Sequence, residues 1–262
     1  MRVRPQRVSL KSARELELMR VAASTTAEIV EELIGLMKPG MSTLDLDREA
    51  ERRCRLRGVT PAFKGLYDCP SCLLVSINDE VVHGLPRADR LLAAGDVVSL
   101  DFGVVYRGWY GDHARTVCLP AASSEDERLV RVAAASLEAA VLACKVGGRV
   151  SDIGQVIEPI VYGAGFSLVE EFVGHGIGRR LHEDPNVPSR FDPAARMPLR
   201  EGMVLCVEPM VNFGGPEVKV LEDGWTAVAV DGTRSAHFEH TIAITANGPE
   251  VLSRPGFGAG RD

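Results

Sequence analysis

The chain has 262 residues, 45% of them apolar, a formal net charge of −6 and a pI of about 5.6. It can therefore bury the core of one large domain or two small ones, and its acidic balance excludes a general affinity for nucleic acid or anionic membranes, which bind basic surfaces. No apolar run approaches the roughly 20 residues of a membrane span, and residues 1–30 lack the apolar core of a signal peptide. We expect a cytoplasmic protein, and the arginine-rich segment at residues 1–7 does not change this.

Helix signals come in two similar pairs. A capping box, in which a serine and an acid three residues later satisfy each other's backbone amides, marks two starts, Ser12 with Glu15 and Ser124 with Glu127. Each start is followed by apolar residues at helical spacing up to a Lys-Pro-Gly or Gly-Gly stop, and then by a shorter helix pattern. The predicted helices span about residues 12–37, 42–58, 124–145 and 151–163.

The two pairs are related by one offset along the chain. Lys145 follows Lys38 by 107 positions, and the same spacing joins Gly40 to Gly147, Gly58 to Gly165, Gly95 to Gly202, and Asp101 to Glu208. The last pair closes two similar apolar strands, GDVVSLD and GMVLCVE. An apolar strand that ends in an acid ordinarily marks only where it meets solvent, but recurrence at one offset favours a shared site. We predict a single domain over residues 1–262, with halves at about 12–120 and 121–248 and short tails.

Each half also contains a second acid followed by a histidine, Asp112-His113 and Glu239-His240. The offset here is 127 instead of 107, so about 20 additional residues lie between the two acids of the second half. Two related halves that face each other would bring four carboxylates together near a pseudo-twofold axis. The predicted fold class is α+β, with a mostly antiparallel sheet inside and helices outside.

The segment DFGVVYRGWYGD predicts a hairpin that carries two of these acids. A turn centred on Tyr106-Arg107, or a four-residue loop with the same centre that includes Gly108, would place Asp101 and Asp112 directly opposite each other, with Cβ atoms about 5 Å apart. A three-residue loop would break this pairing. Buried like charges cost several kcal/mol each unless they are neutralised, and a divalent cation would neutralise them.

Charge balance indicates two cations. Four carboxylates carry −4 and two divalent ions carry +4, which leaves room for a bridging hydroxide and one imidazole ligand. We choose His175, because the glycines around it in GHGIGRRLHE prevent a helix and allow the backbone close to a crowded site. A phosphate-binding loop or a plain turn is the alternative for GHGIG, but a phosphate loop should run directly into a helix with GxGxxG spacing. Manganese, iron, cobalt and zinc all suit this oxygen-rich ligand set.

Six dispersed cysteines complete the inventory of metal-binding residue types: Cys54, Cys69, Cys72, Cys118, Cys144 and Cys206. They form no dense framework, and we expect free thiols in a reducing compartment. Cys69-Pro-Ser-Cys72 would hold a structural zinc only with two more soft ligands nearby, and none is at a suitable spacing, so small buried or loop thiols are the favoured interpretation.

Several motifs resemble those of type I methionine aminopeptidases. They are VVHGLP, DFG…GD, GHGIGRRLHEDP, GMVLCVEPM, DGW and HFEHTIAIT, and the resemblance runs from about Ser12 to Gly248. It implies the pita-bread fold, with one catalytic domain that removes the initiator methionine from nascent polypeptides when the next residue is small. It also implies a dinuclear metal site that activates a hydroxide. We expect a monomer whose partner is the N-terminal methionine of nascent chains; the ribosome is a further candidate partner.

The resemblance also assigns roles to individual residues. Asp101 resembles the chelating ligand of the second metal, Asp112 and Glu239 resemble bridging carboxylates, and His175 and Glu208 resemble terminal ligands of the first metal. His182 matches a histidine that contacts the substrate carbonyl and the tetrahedral intermediate, His83 matches one that hydrogen-bonds the scissile amide nitrogen or the residue after it, and Glu208 carries a proton to the leaving amide. We expect structural or supporting roles for His113, His237 and His240.

The methionine pocket of the resembled family is usually rich in aromatic residues, and this chain departs from it. The predicted lining residues are Phe63, Leu66, Cys69, Leu74, Leu181 and Trp225. Leu66 and Cys69 stand where tyrosines are common, and Leu74 and Leu181 stand where cysteine and phenylalanine are common. An apolar slot survives, but its shape and selectivity differ. Cys206, where the family often has threonine, either lines the site or packs in the core.

Three rival functions follow from the same motifs. A proline-specific aminopeptidase or dipeptidase of this fold would normally carry an extra N-terminal domain, and HFEHT favours methionine. A non-catalytic peptide-binding or ribosome-binding module would typically have lost metal ligands, whereas all five are present. A nucleotide-binding oxidoreductase is suggested only by GHGIG.

Overall fold

The computed structural model describes residues 8–256; the arginine-rich segment at residues 1–7 and the tail at 257–262 lie outside this range. Four helices surround the sheets: α1 (Ala13–Ile34), α2 (Thr43–Arg57), α3 (Ser124–Ala143) and α4 (Val150–Gly163). Between residues 8 and 256, no helix combines the length and the apolar character needed to cross a membrane.

Local sequence signals explain most of the helix ends. The Ser12 and Glu15 capping box is present at α1, and α2 ends at Gly58, whose left-handed φ of 64° suits glycine. The predicted capping box of α3 is wrong by one residue. Ser123, not Ser124, caps this helix, because the Ser123 hydroxyl accepts a hydrogen bond from the Asp126 backbone amide. The Asp126 carboxylate also forms an ion pair with Arg234 at 2.9 Å.

Fifteen strands are present in residues 8–256, and each pairing between them is antiparallel. They are β1 (Thr60–Pro61), β2 (Leu73–Ile77), β3 (Glu80–Val82), β4 (Val97–Tyr106), β5 (Trp109–Cys118), β6 (Ser167–Leu168), β7 (Gly174–Gly176), β8 (Glu183–Val187), β9 (Val204–Val207), β10 (Met210–Asn212), β11 (Val218–Val220), β12 (Ala227–Ala229), β13 (Ser235–His237), β14 (Glu239–Thr245) and β15 (Gly248–Val251). The main sheet has the order β1-β4-β5-β14-β9-β7-β8, with β2 also paired to β4 and β15 to β14; two smaller sheets have the orders β13-β10-β6 and β11-β12-β3.

Backbone hydrogen bonds repeat along the chain at the spacing found in the sequence. Gly40 donates to Leu92 O at 2.8 Å, and Gly147, 107 positions later, donates to Leu199 O at 3.3 Å. The isolated bridges Ser42↔Leu91 and Arg149↔Pro198 show the same spacing. The two halves meet where β5 pairs with β14, and the additional residues of the second half form β10 to β13.

Each half has its own hydrophobic core between its helices and the sheet. One core contains Leu33, Leu46 and Phe102, and the other contains Leu129, Ile153 and Ile242. Burial of a side chain of this size stabilises the fold by about 1.5–3 kcal/mol. Helix α1 lies so close to β5 that a Cβ on Gly111 would be 2.3 Å from the Ala23 nitrogen. Because the helices cover one face of the sheet, the concave face remains available for a site.

Candidate metal centre and substrate pocket

The β4–β5 hairpin carries Asp101 and Asp112, and its register differs from the prediction. The turn is the two-residue Arg107-Gly108, with φ of 49° and 79°, so Tyr106 pairs with Trp109. This primed-type turn matches the twist of the strands, and it shifts the pairing by two residues. Asp101 lies opposite Ala114, and Asp112 lies opposite Gly103. The predicted direct opposition of the two acids is therefore wrong, but an even shift keeps both on the same face of the sheet.

Four neighbouring strands bring side chains from both halves to one point on that face. Asp112 on β5, His175 on β7, Cys206 on β9 and Glu239 on β14 have ligand atoms that all lie within 4.8 Å of one another. These strands are adjacent in the order β5-β14-β9-β7, which explains how residues far apart in sequence meet. Glu208, just beyond β9, places its Oε1 3.6 Å from His175 Nε2.

The electrostatics of this cluster are those of carboxylates crowded out of water. Burial raises the pKa of Asp101 to about 7 and that of Glu208 to about 8. Burial and the neighbouring carboxylates raise the pKa values of Asp112 and Glu239 well above their ordinary range, and burial lowers the pKa of His175 to about 3. Such shifts mean that the negative charges lack a compensating partner within the protein.

This donor set fits divalent metal ions. Glu239 is only 2% exposed, and its Oε1 has no hydrogen-bond partner in the described residues. Four carboxylates and one imidazole match the hard, oxygen-rich preference of such ions, and Cys206 adds a sulfur atom to the group. In residues 8–256 no other group of three or more His, Cys, Asp or Glu side chains converges in this way, and Cys69 and Cys72 do not belong to this one.

The metal-free protein should lose stability as pH rises from about 7 to about 8. Asp101 and Glu208 keep their protons in the folded state up to a pH of about 7 and about 8, whereas in the unfolded chain they lose them near pH 4. Above a pH of about 7 the buried histidines are uncharged in both states, so the folded state binds more protons in this window and the free energy of unfolding falls with pH and levels off above it. Thermal unfolding of chelated protein across this range checks the slope, and Asp101→Asn should make it shallower. A flat or rising profile would contradict the assignment.

One pocket opens above this cluster of ligand atoms. Its volume is about 500 Å³ including the open mouth. Every site residue predicted from the sequence lies on its wall or floor, together with the unpredicted Tyr67: Phe63, Leu66, Tyr67, Cys69, Leu74, His83, Asp101, Asp112, His175, Leu181, His182, Glu208, Trp225 and Glu239. The walls are mainly apolar and the floor is acidic, an arrangement that suits an apolar side chain attached to a polar group.

The two pocket histidines outside the cluster of ligand atoms make ring contacts with their neighbours. His182 lies edge-on to His175, with ring centroids 4.5 Å apart, and is stacked with Tyr67 at 6.0 Å. His83 has a left-handed φ of 62° and contacts the ring of Phe172 at 5.2 Å. Sequence reasoning missed Tyr67 and Phe172. Tyr67 reaches His182 through a φ of 51°, and no local sequence signal predicts that conformation for tyrosine.

The remaining histidines lie around the cluster. His113 and His240 stack at 5.1 Å. They face away from the pocket, because side chains alternate along a strand and the preceding Asp112 and Glu239 face into it. His237 is buried, with its Nε2 3.5 Å from Glu208 Oε2.

Comparison with known proteins identifies the family of this site. The sequence profile of metallopeptidase family M24 matches residues 17–246. A methionine aminopeptidase of Clostridium perfringens is 45% identical over 246 residues, which cover 94% of this chain and 98% of the relative. The crystal structure of the methionine aminopeptidase of Thermotoga maritima has a TM-score of 0.93 at 42% identity, covering 95% of this chain and 100% of that one. The chain belongs to the methionine aminopeptidases of metallopeptidase family M24.

The same comparison confirms the predicted α+β pita-bread fold, because the curled antiparallel sheet of the methionine aminopeptidases is reproduced here over nearly the whole chain. The prolidase of Pyrococcus furiosus also resembles this chain, with a TM-score of 0.77 but 21% identity, and this chain covers 66% of that protein. That likeness shows a shared fold and nothing more.

Proposed function

We propose that this methionine aminopeptidase removes the initiator methionine from nascent polypeptides whose second residue is small. The observation that carries the proposal is the pocket whose apolar wall ends on a floor of metal-binding carboxylates. A methionine side chain suits the apolar wall, and the free α-amine and first carbonyl would then lie over the floor. A chain with no free N-terminus cannot place an amine there, which supports an exopeptidase.

We further propose that the cluster holds two divalent ions, drawn from manganese, iron, cobalt and zinc. His175 and Glu208 would bind one ion, Asp101 would bind the other, and Asp112 and Glu239 would bind both. Such ions supply a nucleophilic water at neutral pH and polarise the substrate carbonyl. The raised pKa values of these carboxylates support the proposal, because they show negative charge that the protein alone leaves uncompensated.

The histidines of the pocket act as neutral groups in the proposed reaction. Burial lowers the pKa of His83 to about 4 and lowers that of His182, so both are uncharged at neutral pH. His182 is proposed to donate a hydrogen bond to the carbonyl oxygen as negative charge develops on it. His83 is proposed to bind the scissile amide nitrogen or the residue after it, and Glu208 to deliver a proton to the leaving nitrogen.

Leu181 gives a test of the apolar wall. It is 5% exposed, lines the pocket and precedes His182. We expect Leu181→Ala to lower kcat/KM for a methionyl peptide by about 10–100-fold, mostly through KM, because each lost apolar contact weakens substrate binding. Leu16→Ala is the matched control, since Leu16 packs against the same hydrophobic cluster without lining the pocket. Steady-state kinetics on both variants measures this difference. Equal KM values for Leu181→Ala and Leu16→Ala would argue against a role of this wall in binding methionine.

The experiment that tests the proposed function compares two peptides. Purified protein is mixed with manganese, iron, cobalt or zinc and given Met-Ala-Ser or Ala-Pro-Ala. We expect release of methionine from the first peptide, loss of that release with a chelator, and no cleavage of the second. Preference for Ala-Pro-Ala would indicate a proline-specific enzyme, and binding without cleavage under every metal would indicate a non-catalytic module.

We propose the remaining features together with the activity. Residues 1–262 would form one catalytic domain with halves at about 12–120 and 121–248, acting as a monomer in the cytoplasm on emerging nascent chains, with the ribosome as a candidate partner. The pairing of β5 with β14 supports a single unit, because the floor of the pocket takes ligands from both halves. Light scattering of the purified protein would test the monomer.

A further inference from the structure

The acid that follows His182 in the sequence organises the turn that carries this histidine. Glu183 is the first residue of β8, and its Oε1 accepts hydrogen bonds from the backbone amides of Arg179 at 2.9 Å and Arg180 at 3.2 Å. The turn from Gly178 to His182 therefore folds around one carboxylate. The Gly178 carbonyl also accepts the amide of Tyr110 at 2.9 Å, which joins the turn to β5.

The charge of that carboxylate is balanced by Lys11. Lys11 Nζ lies 3.0 Å from Glu183 Oε2, and the two side chains are 2% and 9% exposed. Lys11 precedes α1 and is 172 positions away in sequence. Its backbone amide donates to Gly202 O at 2.7 Å, so the segment before α1 is fastened to the residues that lead into β9.

A buried ion pair of this kind is weak support for stability, because the cost of removing both charges from water offsets their attraction. Burial lowers the pKa of Lys11, which reflects this cost. The surrounding chain nevertheless makes room for the pair. A Cβ on Gly178 would lie 2.8 Å from both Glu183 carboxylate oxygens and from Lys11 Cε, so a larger residue at this position would displace the two side chains of the pair.

The His182 side chain depends on this turn for its direction. Its ring contacts are with Tyr67 at 6.0 Å, on the exposed side, and with His175 at 4.5 Å, on the metal side. Tyr67 is itself 70% exposed. The backbone at residues 179–183 determines where the His182 side chain begins, and Glu183 accepts hydrogen bonds from two amides of that backbone.

We infer that Lys11 and Glu183 are positioning residues that aim His182 at the substrate carbonyl. This inference rests on the proposed function, in which His182 contacts the reacting group. It also explains why the segment before α1, far from the pocket in sequence, has a buried lysine: a small displacement of a catalytic group is enough to lower the rate about 100-fold.

A double-mutant cycle tests the inference. Lys11→Met should lower kcat for Met-Ala-Ser about 100-fold, with little change in KM or in metal affinity by calorimetry. In a His182→Ala background the same substitution should lower kcat by less than about twofold, because Lys11 then has no catalytic imidazole to position; a twofold change is the usual deviation from additivity between independent sites. Lys11→Arg, which keeps the charge, should restore part of the rate. An equal loss from Lys11→Met in both backgrounds would overturn the inference, because it would show a general structural effect.

The nuclear magnetic resonance signal of the His182 ring gives a readout that does not depend on activity. In histidine-labelled protein, with His182 assigned from the His182→Ala variant, Lys11→Met should shift or broaden the His182 ring signal more than that of His83. An unchanged His182 signal would overturn the inference. Glu183→Gln should act like Lys11→Met and serves if the first variant does not fold. Should wild-type protein fail to release methionine, the proposed function fails, and the ring signal still decides the positioning role.

Arg20 offers the matched control for the loss of an ion pair. Arg20 on α1 forms ion pairs with Glu250 on β15 at 2.7 Å and with Glu17 on its own helix, and it does not line the pocket. Arg20→Met should lower the melting temperature while leaving kcat and the His182 signal unchanged. If Arg20→Met moved the His182 signal as much as Lys11→Met, the special role of the Lys11–Glu183 pair would be lost.

Discussion

Asp112→Asn should remove metal binding and methionine release together. Asp112 lies at the centre of the cluster, 3% exposed, with His175 Nε2 3.9 Å from its Oδ2. Loss of even an outer partner of a metal ligand costs about 10–100-fold in metal affinity, so loss of a carboxylate that is proposed to bind both ions should exceed the upper end of that range. Calorimetric titration of the chelated protein with manganese or cobalt, followed by kcat/KM for Met-Ala-Ser, measures both quantities.

In the metal-free protein, the same substitution should instead raise the stability of the fold. Burial and the neighbouring carboxylates raise the pKa of Asp112, so a neutral amide removes the cost of burying or protonating this carboxyl in the folded state. We expect the melting temperature of chelated Asp112→Asn to rise by several degrees, while the further increase that metal causes in wild type disappears. Asp89→Asn is the control, because Asp89 is 71% exposed and pairs only with Arg87 on the surface. A metal-replete Asp112→Asn enzyme with normal turnover would contradict the assignment.

His182→Ala should keep the metal and lose the rate. The His182 ring lies beside His175 without being part of the cluster of converging ligand atoms, so the proposed metal ligands should remain in place. Removal of one hydrogen-bond donor to a developing oxyanion typically lowers kcat about 10²–10³-fold, and we expect a fall in that range with KM little changed. Metal content by elemental analysis and steady-state kinetics on the same sample separate the two effects.

His182→Gln provides the conservative comparison. Its amide can still donate a hydrogen bond, although from a shifted position, so it should recover part of the rate lost in His182→Ala. If His182→Ala instead lost metal in parallel with activity, His182 would have to be treated as a ligand, and the division of roles between His175 and His182 would be wrong.

Much of the fold could be predicted from the internal repeat of the sequence. A constant offset of 107 positions predicted two related halves, and hydrogen bonds such as Gly40 to Leu92 and Gly147 to Leu199 show that spacing in the backbone. The side-chain alternation of strands placed Asp101 and Asp112 on one face for any turn with an even number of residues. The exact residue pairing between β4 and β5 was not predictable, because Arg107 adopts a left-handed conformation that is uncommon for arginine.

The sequence by itself determined the family, the fold class and the acidic and histidine side chains that meet in the pocket, because short motifs and strand periodicity specify which residue types recur and which face they occupy. Only the tertiary structure decided that Tyr67 stacks on His182, that Cys206 joins the cluster of converging ligand atoms, and that Lys11 balances Glu183. These contacts join segments that no periodicity relates, and their existence depends on how helices and sheets pack after the chain has folded.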